Sequence, residues 1–414
     1  MEQFLYNELA TLTSSGSKID SCFLKQLKEK ICYIKKLDFS PSDAVKMSTK
    51  ELIQDTTDFL LSSGTIKGIS SSIYIPTKEE YKINIMGGNI KKGNKVLNIT
   101  DETLFDVASI TKFFTCLLVL KLEELGYLDF DCTVASINSD FRYLDNYRIK
   151  DIITMANVIE TDERIDEANN VIEAYERLKT VKLKDSTEKH KYTDIGLIVL
   201  SYIIEGVVNK KLNTKMSYDE IMDKYVLKPL GLKETTYHPE RIVVGNGNSD
   251  NLPNDPKCQS LNHPIGSAGL FTTTHDLEQL AENLYQFKFI AKERLLKLGD
   301  IIYDGENKGY FGAYVKHPLG IQKTFTPNEY SNNSFSFQGS TGSVVVFDVN
   351  NKIHNSVLVN SIMENGINKK PSFMDTYDKY HESLIKTSLE LLLIKKYYEN
   401  YVKVKEKVYQ KVLI

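Results

Sequence analysis

Strand patterns lie at both ends of this 414-residue chain, and a long stretch of mostly helical patterns separates them. Alternating apolar residues predict two early strands, over residues 69–75 and 81–86. The carboxyl-terminal third predicts four more, over residues 310–316, 335–339, 342–349 and 354–360. Because two strands alone are marginally stable in water, the early pair needs partners from the other end. We therefore predict an α+β fold with one antiparallel sheet built from both ends and a helical lobe inserted between them.

The same patterns predict how the chain is divided. We expect a helical amino-terminal extension over residues 1–46, a sheet lobe from residues 47–105 and 300–414, and a helical lobe over residues 106–299. The two lobes form one composite domain in this interpretation, and a long helix is predicted over residues 376–405. The extension either packs against the main body or acts as a partner-binding arm.

A serine and a lysine lie one helical turn apart at the entry to a long amphipathic pattern. The apolar residues Leu104, Phe105 and Val107 precede Ser109, and the pattern after Lys112 continues to Gly126, which we interpret as the C-cap. Side chains at i and i+3 share one face of a helix, so Ser109 and Lys112 point into the same space. Helix entry also directs free backbone N–H groups at an oxyanion forming there. Ser109 is thus a candidate nucleophile.

The spacing alone is a weak signal, because the chain has other Ser-x-x-Lys matches. They are Ser15/Lys18, Ser186/Lys189 and Ser383/Lys386. Only Ser109 lies between an apolar approach and a long helical continuation, so we interpret the other matches as ordinary surface residues.

Composition and charge limit the possible partners. The formal net charge is -3, and no long single-sign block occurs, so nucleic-acid binding is not expected. The amino terminus lacks a basic segment followed by an apolar one, and no apolar run approaches eighteen residues, so we expect no membrane segment and a cytoplasmic location. The 5 cysteines are scattered, and the histidines lack paired spacing, so neither a metal nor a cofactor is expected. The partner is expected to be a small molecule or a peptide.

Three motifs in order resemble the serine β-lactamase and penicillin-binding-protein superfamily. They are Ser109-Ile110-Thr111-Lys112, Tyr192-Thr193-Asp194 and Gly339-Ser340-Thr341-Gly342. The resemblance covers about residues 48 to 395 and is greatest to the branch shared by class C β-lactamases, D-aminopeptidases and many esterases. It implies a five-stranded antiparallel sheet flanked by helices, an all-helical lobe, and an active site in the groove between them.

The resemblance also implies a role for each motif residue. Ser109 would be the nucleophile, Lys112 its proton-handling partner, and Tyr192 a second base and the acid for the leaving group. The backbone N–H groups of Ser109 and Ser340 would form the oxyanion hole. A lysine in a dry groove loses charge easily and a nearby cation favours tyrosinate, so the residue that takes the serine proton stays open.

Two positions depart from the family pattern. The family usually has Lys-Thr-Gly or His-Thr-Gly where this chain has Phe337-Gln338-Gly339, so the donor that would hold a substrate carboxylate is replaced by a phenyl ring. We expect Phe337 to offer an apolar wall and Gln338 to contact a substrate amide. Asp194 replaces the usual Asn, and its carboxylate would keep Lys112 charged, which shifts the base role toward Tyr192.

These residues favour a serine hydrolase, or an acyltransferase, that acts on an ester or amide through an acyl-enzyme on Ser109. A true β-lactamase is disfavoured by Phe337. The alternative is a catalytically impaired binding or scaffold protein with the same fold, which the altered third motif favours. The sequence fixes neither the substrate nor the oligomeric state.

Overall fold

The computed structural model describes residues 54, 57, 58, 61, 68–75, 81–92, 95–241, 243–244, 251–300, 302, 309–315, 331 and 333–359. Residues 65–382 form one compact unit, and residues 1–64 with 383–414 form another. The elements and the candidate site described below belong to the unit of residues 65–382. The predicted extension over residues 1–46 and the predicted helix over residues 376–405 lie outside the described residues.

The strands fall into one large sheet and two small ones. In chain order they are β1 (Gly68–Ile75), β2 (Tyr81–Lys92), β3 (Lys95–Asn98), β4 (Leu104–Asp106), β5 (Ile159–Glu160), β6 (Lys182–Leu183), β7 (Val243–Val244), β8 (Phe271–Thr272), β9 (Tyr314–Val315), β10 (Ser334–Gln338), β11 (Val344–Asp348) and β12 (Ile353–Val359). The large sheet has the order β3-β2-β1-β12-β11-β10-β9, and each of its pairs is antiparallel.

The central pair of the large sheet joins the two ends of the chain, as predicted. Ile69 of β1 pairs with Val359 of β12, and β1 pairs on its other side with β2. The large sheet has seven strands among the described residues, where the resemblance implied five. The additional strands, β3 and β9, are short and lie at the two edges, so the predicted α+β architecture is confirmed.

One predicted strand is mostly a turn. Residues 310–316 were expected to be extended, but Tyr310–Gly312 form a 3-10 turn and only Tyr314–Val315 pair with β10. Phe311 and Gly312 both have positive φ, at 57° and 76°, which a strand cannot accommodate. Apolar alternation does not reveal such a bend.

Helices fill the middle of the described chain. They are α1 (Thr111–Glu124), α2 (Val134–Ile137), α3 (Ile149–Ile153), α4 (Val171–Lys179), α5 (Ile195–Leu212), α6 (Tyr218–Met222), α7 (Lys228–Leu230), α8 (Pro256–Leu261), α9 (Thr274–Tyr285) and α10 (Lys292–Leu296). A short π-helical segment, Asp223–Leu227, joins α6 to α7. Among the described residues, none of the helices has both the length and the apolar surface needed to cross a bilayer.

Helix α1 lies at the centre of the core. Residues 113, 114 and 116–119 have no exposed surface, so the helix predicted to be amphipathic is buried on nearly all sides. The ring of Phe113 packs against Phe337 and Phe347 of the large sheet, with centroid distances of 5.2 and 4.8 Å. Gly126 follows the helix with φ of +67°, the left-handed conformation expected of the residue that ends it.

A small sheet positions the segment that precedes α1. Strand β4 lies between β7 and β8, and the N–H of Val107 donates a hydrogen bond of 3.1 Å to the carbonyl of Leu270. Residues 266–272 therefore run alongside the turn between β4 and α1. At Gly266 a β-carbon would lie 2.8 Å from the carbonyl oxygen of Leu197, so this close approach requires glycine.

Candidate active site

Ser109 lies in the turn between β4 and α1. Strand β4 ends at Asp106, and a 3-10 turn over Ala108–Ile110 leads directly into α1. Ala108 has φ of 46°, which is uncommon for a residue with a side chain. The Asp106 carboxylate accepts a hydrogen bond of 2.8 Å from the Ala108 N–H and thereby stabilises the turn. Ser109 thus lies at the helix entry, as predicted.

Lys112 is buried beside Ser109. Its side chain is 1% exposed, and Nζ donates hydrogen bonds to Ser109 Oγ at 2.7 Å and to the Ser267 carbonyl oxygen at 3.0 Å. The predicted juxtaposition of serine and lysine is therefore present. Nζ also forms an ion pair of 2.8 Å with Asp194 Oδ1.

Asp194 binds a second lysine. Its other carboxylate oxygen, Oδ2, lies 3.1 Å from Nζ of Lys257 in the first turn of α8. One carboxylate thus bridges two ammonium groups, of which Lys112 is buried and Lys257 is 25% exposed.

The ion pairs determine the protonation states of these side chains. Desolvation alone would raise the pKa of Asp194, but the charges of Lys112 and Lys257 hold it well below its usual range. Burial would likewise lower the pKa of Lys112, but the Asp194 carboxylate and the Tyr192 side chain raise it above its usual range. Lys112 is therefore an ammonium group that donates to Ser109 and has no lone pair to accept a proton.

Tyr192 lies on the solvent side of Lys112. Its side chain is 43% exposed, and Nζ of Lys112 lies 4.9 Å from the centroid of the phenol ring. The backbone at Gly312 approaches the other part of the ring, where a β-carbon would lie 2.6 Å from Cε2 of Tyr192. The Lys112 ammonium therefore contacts both Ser109 and Tyr192. The lack of a side chain at Gly312 allows the backbone to pack directly against the Tyr192 ring.

The turn between β10 and β11 lies against the Ser109 turn. The Thr341 hydroxyl donates a hydrogen bond of 2.8 Å to the Asp106 carbonyl oxygen, and Gly339 packs against the Val107 carbonyl oxygen. Among the residues described, the backbone N–H groups of Ser109 and Ser340 donate to no intramolecular acceptor. The resemblance assigns these two N–H groups to the oxyanion hole, and that assignment stays a prediction.

Phe337 does not form the expected wall of a binding groove. Its side chain is 3% exposed and its ring stacks on Phe113, so it belongs to the core beneath α1. The expectation that Phe337 contacts the substrate was wrong because alternate strand residues face one side, and Phe335 shares this apolar face. Gln338 is partly exposed and points to the other side, so it remains a candidate for substrate contact.

Two acids on the segments around the Ser109 turn have raised pKa values, and one of them, Asp106, is buried. Burial raises the pKa of Asp106 to about 6, although hydrogen bonds from the N–H groups of Asn254, at 2.6 Å, and Ala108 oppose the shift. Burial likewise raises the pKa of Asp255, the N-cap of α8. Asp106 therefore links the Ser109 turn to the segment that carries Lys257.

Sequence reasoning missed Lys257 and Asp106. Asp255 followed by Pro256 is a helix-start signal that would have predicted α8, but the signal does not show where Lys257 points. The bond between Asp194 and Lys257 joins residues 63 positions apart in sequence, and such contacts leave no periodic pattern. Asp106 lies three residues before Ser109, and a carboxylate that accepts from the N–H two residues later is a common turn pattern.

Residues 69–367, well over half of the chain, match the family model Beta-lactamase. The chain is also similar to a Salmonella agona (strain SL483) protein described as a "Putative D-alanyl-D-alanine carboxypeptidase", with 26% identity over 228 residues. That match covers 44% of this chain and 51% of the relative. The chain thus spans about half the length of the curated relatives it matches.

Solved structures share the fold. A class C beta-lactamase in complex with cefoxitin superposes with a TM-score of 0.62 at 18% identity, over 83% of this chain and 99% of that one. EstCE1, described as a hydrolase with promiscuous acyltransferase activity, gives a TM-score of 0.58 at 15% identity, over 81% of this chain and 98% of that one. Identities this low show a common fold alone.

Proposed function

Because the chain belongs to the beta-lactamase family, we propose that it is a serine hydrolase that cleaves an ester or amide of a small molecule or peptide through an acyl-enzyme on Ser109. The observation that carries the proposal is the hydrogen bond of 2.7 Å between Lys112 Nζ and Ser109 Oγ. A nucleophilic hydroxyl needs a polar group that stabilises its developing negative charge, and a buried ammonium at this distance provides one.

Proton transfer in this mechanism runs through Tyr192. Lys112 is held as an ammonium by Asp194 and cannot accept the Ser109 proton. The phenolic oxygen of Tyr192, whose ring lies beside the Lys112 ammonium, accepts that proton while Ser109 Oγ forms a bond to the substrate carbonyl carbon. When the tetrahedral intermediate collapses, Tyr192 returns the proton to the departing alcohol or amine.

The oxyanion is bound by two backbone donors. Ser109 and Ser340 belong to two turns that the hydrogen bond from Thr341 to the Asp106 carbonyl oxygen joins, and in the part of the chain that the structure describes neither N–H group donates to another acceptor. Each such donor typically contributes about 100-fold or more to the rate. Attack of water on the acyl-enzyme then gives the free acid, whereas attack of an alcohol or amine gives acyl transfer.

The substrate is expected to lack a carboxylate next to the scissile bond. The strand position that carries a cationic or polar donor in the pattern of related enzymes holds Phe337, whose ring is buried. A β-lactam or a D-alanyl-D-alanine peptide would leave its carboxylate without that partner, and an unpaired charge in a groove is costly. We therefore propose a neutral ester or amide in place of the peptide named for the curated relatives.

The second candidate function is ligand binding without catalysis, and Phe337 favours it because a motif position that binds substrate in related enzymes is buried here. The two candidates differ in turnover. We would measure steady-state hydrolysis of p-nitrophenyl acetate by the wild type, by Ser109→Ala, and by Ser186→Ala, which alters another Ser-x-x-Lys match. Hydrolysis lost only in Ser109→Ala supports the hydrolase, whereas equal background rates in all three proteins would favour the binding protein.

A further inference from the structure

Lys257 is the residue in the charged cluster that the proposed mechanism does not use. Nζ of Lys257 forms an ion pair of 3.1 Å with Oδ2 of Asp194, and Nζ of Lys112 forms one of 2.8 Å with Oδ1. An ion pair between an exposed lysine and a carboxylate normally contributes little to protein stability, because water screens the two charges. This pair is different, since Lys257 is only 25% exposed and its partner carboxylate also contacts the buried Lys112.

Two sets of hydrogen bonds hold Lys257 in place. The Asp255 carboxylate caps α8 by accepting from the N–H groups of Lys257, at 2.8 Å, and Cys258, at 3.1 Å. One residue earlier, the N–H of Asn254 donates to Oδ2 of Asp106, whose Oδ1 binds the Ser109 turn. The backbone at Lys257 is therefore anchored to the same turn that presents the nucleophile.

We propose that Lys257 is a positioning residue for acylation of Ser109, acting through Asp194. It shares the Asp194 carboxylate with Lys112 and so weakens the hold of that carboxylate on the Lys112 ammonium, which contacts Ser109 and Tyr192. The inference rests on the proposed function, because it concerns the rate of Ser109 acylation.

The charges around the cluster predict the effect of removing Lys257. Lys257 faces the carboxylates of Asp194, Asp255 and Asp166, while Lys112 faces Asp194 and Tyr192. Without Lys257, one positive charge that partly neutralises Asp194, Asp255 and Asp166 is lost. The proton-transfer groups then experience more of the negative charge of these carboxylates. Negative charge makes the loss of a proton from this cluster harder. The rising limb of the rate–pH profile should therefore move to higher pH.

The experiment measures how fast a fluorophosphonate labels Ser109 as a function of pH. Intact-protein mass spectrometry gives the labelling rate of the full chain from pH 5.5 to 10 for the wild type, Lys257→Met, Lys257→Gln and Lys257→Arg. The matched control is Lys210→Met, which removes an exposed lysine at the far end of α5, about 24 Å along the helix from Asp194. The pH at half-plateau rate does not depend on how much of a variant is folded, so a purely structural role would leave it unchanged.

We expect the half-plateau pH to rise by about one unit in Lys257→Met and Lys257→Gln and to stay at the wild-type value in Lys257→Arg and Lys210→Met. An unchanged half-plateau pH in the Met and Gln variants, with normal wild-type labelling, would overturn the role of Lys257 and leave the hydrolase intact. A wild type that is not labelled, or a Ser109→Ala variant that is labelled equally, would instead overturn the proposed function and this inference with it.

Discussion

Gly339, just after β10, packs so closely against the carbonyl oxygen of Val107 that a β-carbon at this position would overlap it. The contact joins the β10–β11 turn, which carries Ser340, to the turn that carries Ser109. The hydrogen bond from Thr341 to the Asp106 carbonyl oxygen supports the same junction. The relative position of the two candidate oxyanion donors therefore depends on the absence of a side chain at residue 339.

Substituting Gly339 by Ala should impair acylation more than it impairs folding. One of the two turns must move by several tenths of an ångström, which we expect to lower the fluorophosphonate labelling rate by about 100-fold. Overpacking of this kind should cost about 1–3 kcal/mol of unfolding free energy. The control is Gly206→Ala in α5, where a β-carbon meets nothing within 4 Å and should stabilise the helix. Wild-type labelling by Gly339→Ala would contradict the prediction.

Replacing Asp194 by Asn should move the rate–pH profile in the direction opposite to Lys257→Met. The carboxylate raises the pKa of Lys112, so its removal leaves two cations beside the proton-transfer groups and makes loss of a proton easier. The half-plateau pH of p-nitrophenyl acetate hydrolysis should therefore fall. Because a buried ammonium loses its partner, the variant should also be less stable by about 3–5 kcal/mol. A half-plateau pH that stays constant or rises would refute this account of Asp194.

The buried Asp106 should make stability depend on pH in a defined window. The pKa of Asp106 is about 6 in the folded protein and 3.8 when the side chain is not buried. Between these two pH values the native state therefore binds a proton that the unfolded state does not. Stability should fall as pH rises through this window, by up to about 1.4 kcal/mol per pH unit, and then level off. Urea unfolding of the wild type and of Asp106→Asn from pH 4 to 8 gives the difference between their unfolding free energies at each pH. The contributions of the other titratable groups are the same in both proteins and cancel in this difference. Parallel curves would show that Asp106 does not titrate there.

Phe337 should behave as a core residue. Its ring packs on Phe113 and is 3% exposed, so Phe337→Leu should lower the unfolding free energy by about 1–2 kcal/mol. Because the ring offers almost no surface to a ligand, KM for p-nitrophenyl acetate should stay within about twofold of the wild type. Urea titration and steady-state kinetics test the two statements. A tenfold change in KM with an unchanged unfolding free energy would show that Phe337 contacts the substrate.

Much of the fold could be predicted from the sequence because its signals are local. Apolar alternation and the need of β1 and β2 for partners predicted a sheet built from both ends, and β1 does pair with β12. The proximity of Ser109 and Lys112 follows from helical geometry alone, and the structure has them 2.7 Å apart.

The rest depended on contacts between segments distant in sequence. Lys257 contacts Asp194 from a segment that the Asn254 N–H attaches to Asp106, and the residues around position 257 give no signal of that attachment. The bend at residues 310–312 depends on positive φ at Phe311, a residue type that gives no such signal. The burial of Phe337 could have been inferred from its alternation with Phe335, but the motif alignment pointed the other way.

We propose above all that Ser109 is a nucleophile activated by its surroundings. Intact-protein mass spectrometry after incubation with a fluorophosphonate tests it directly, since the Ser109 oxygen would form a bond to phosphorus and displace fluoride. We predict one adduct on the wild type and on Ser186→Ala, and none on Ser109→Ala. A wild type that stays unmodified, or an adduct that persists in folded Ser109→Ala, would contradict it.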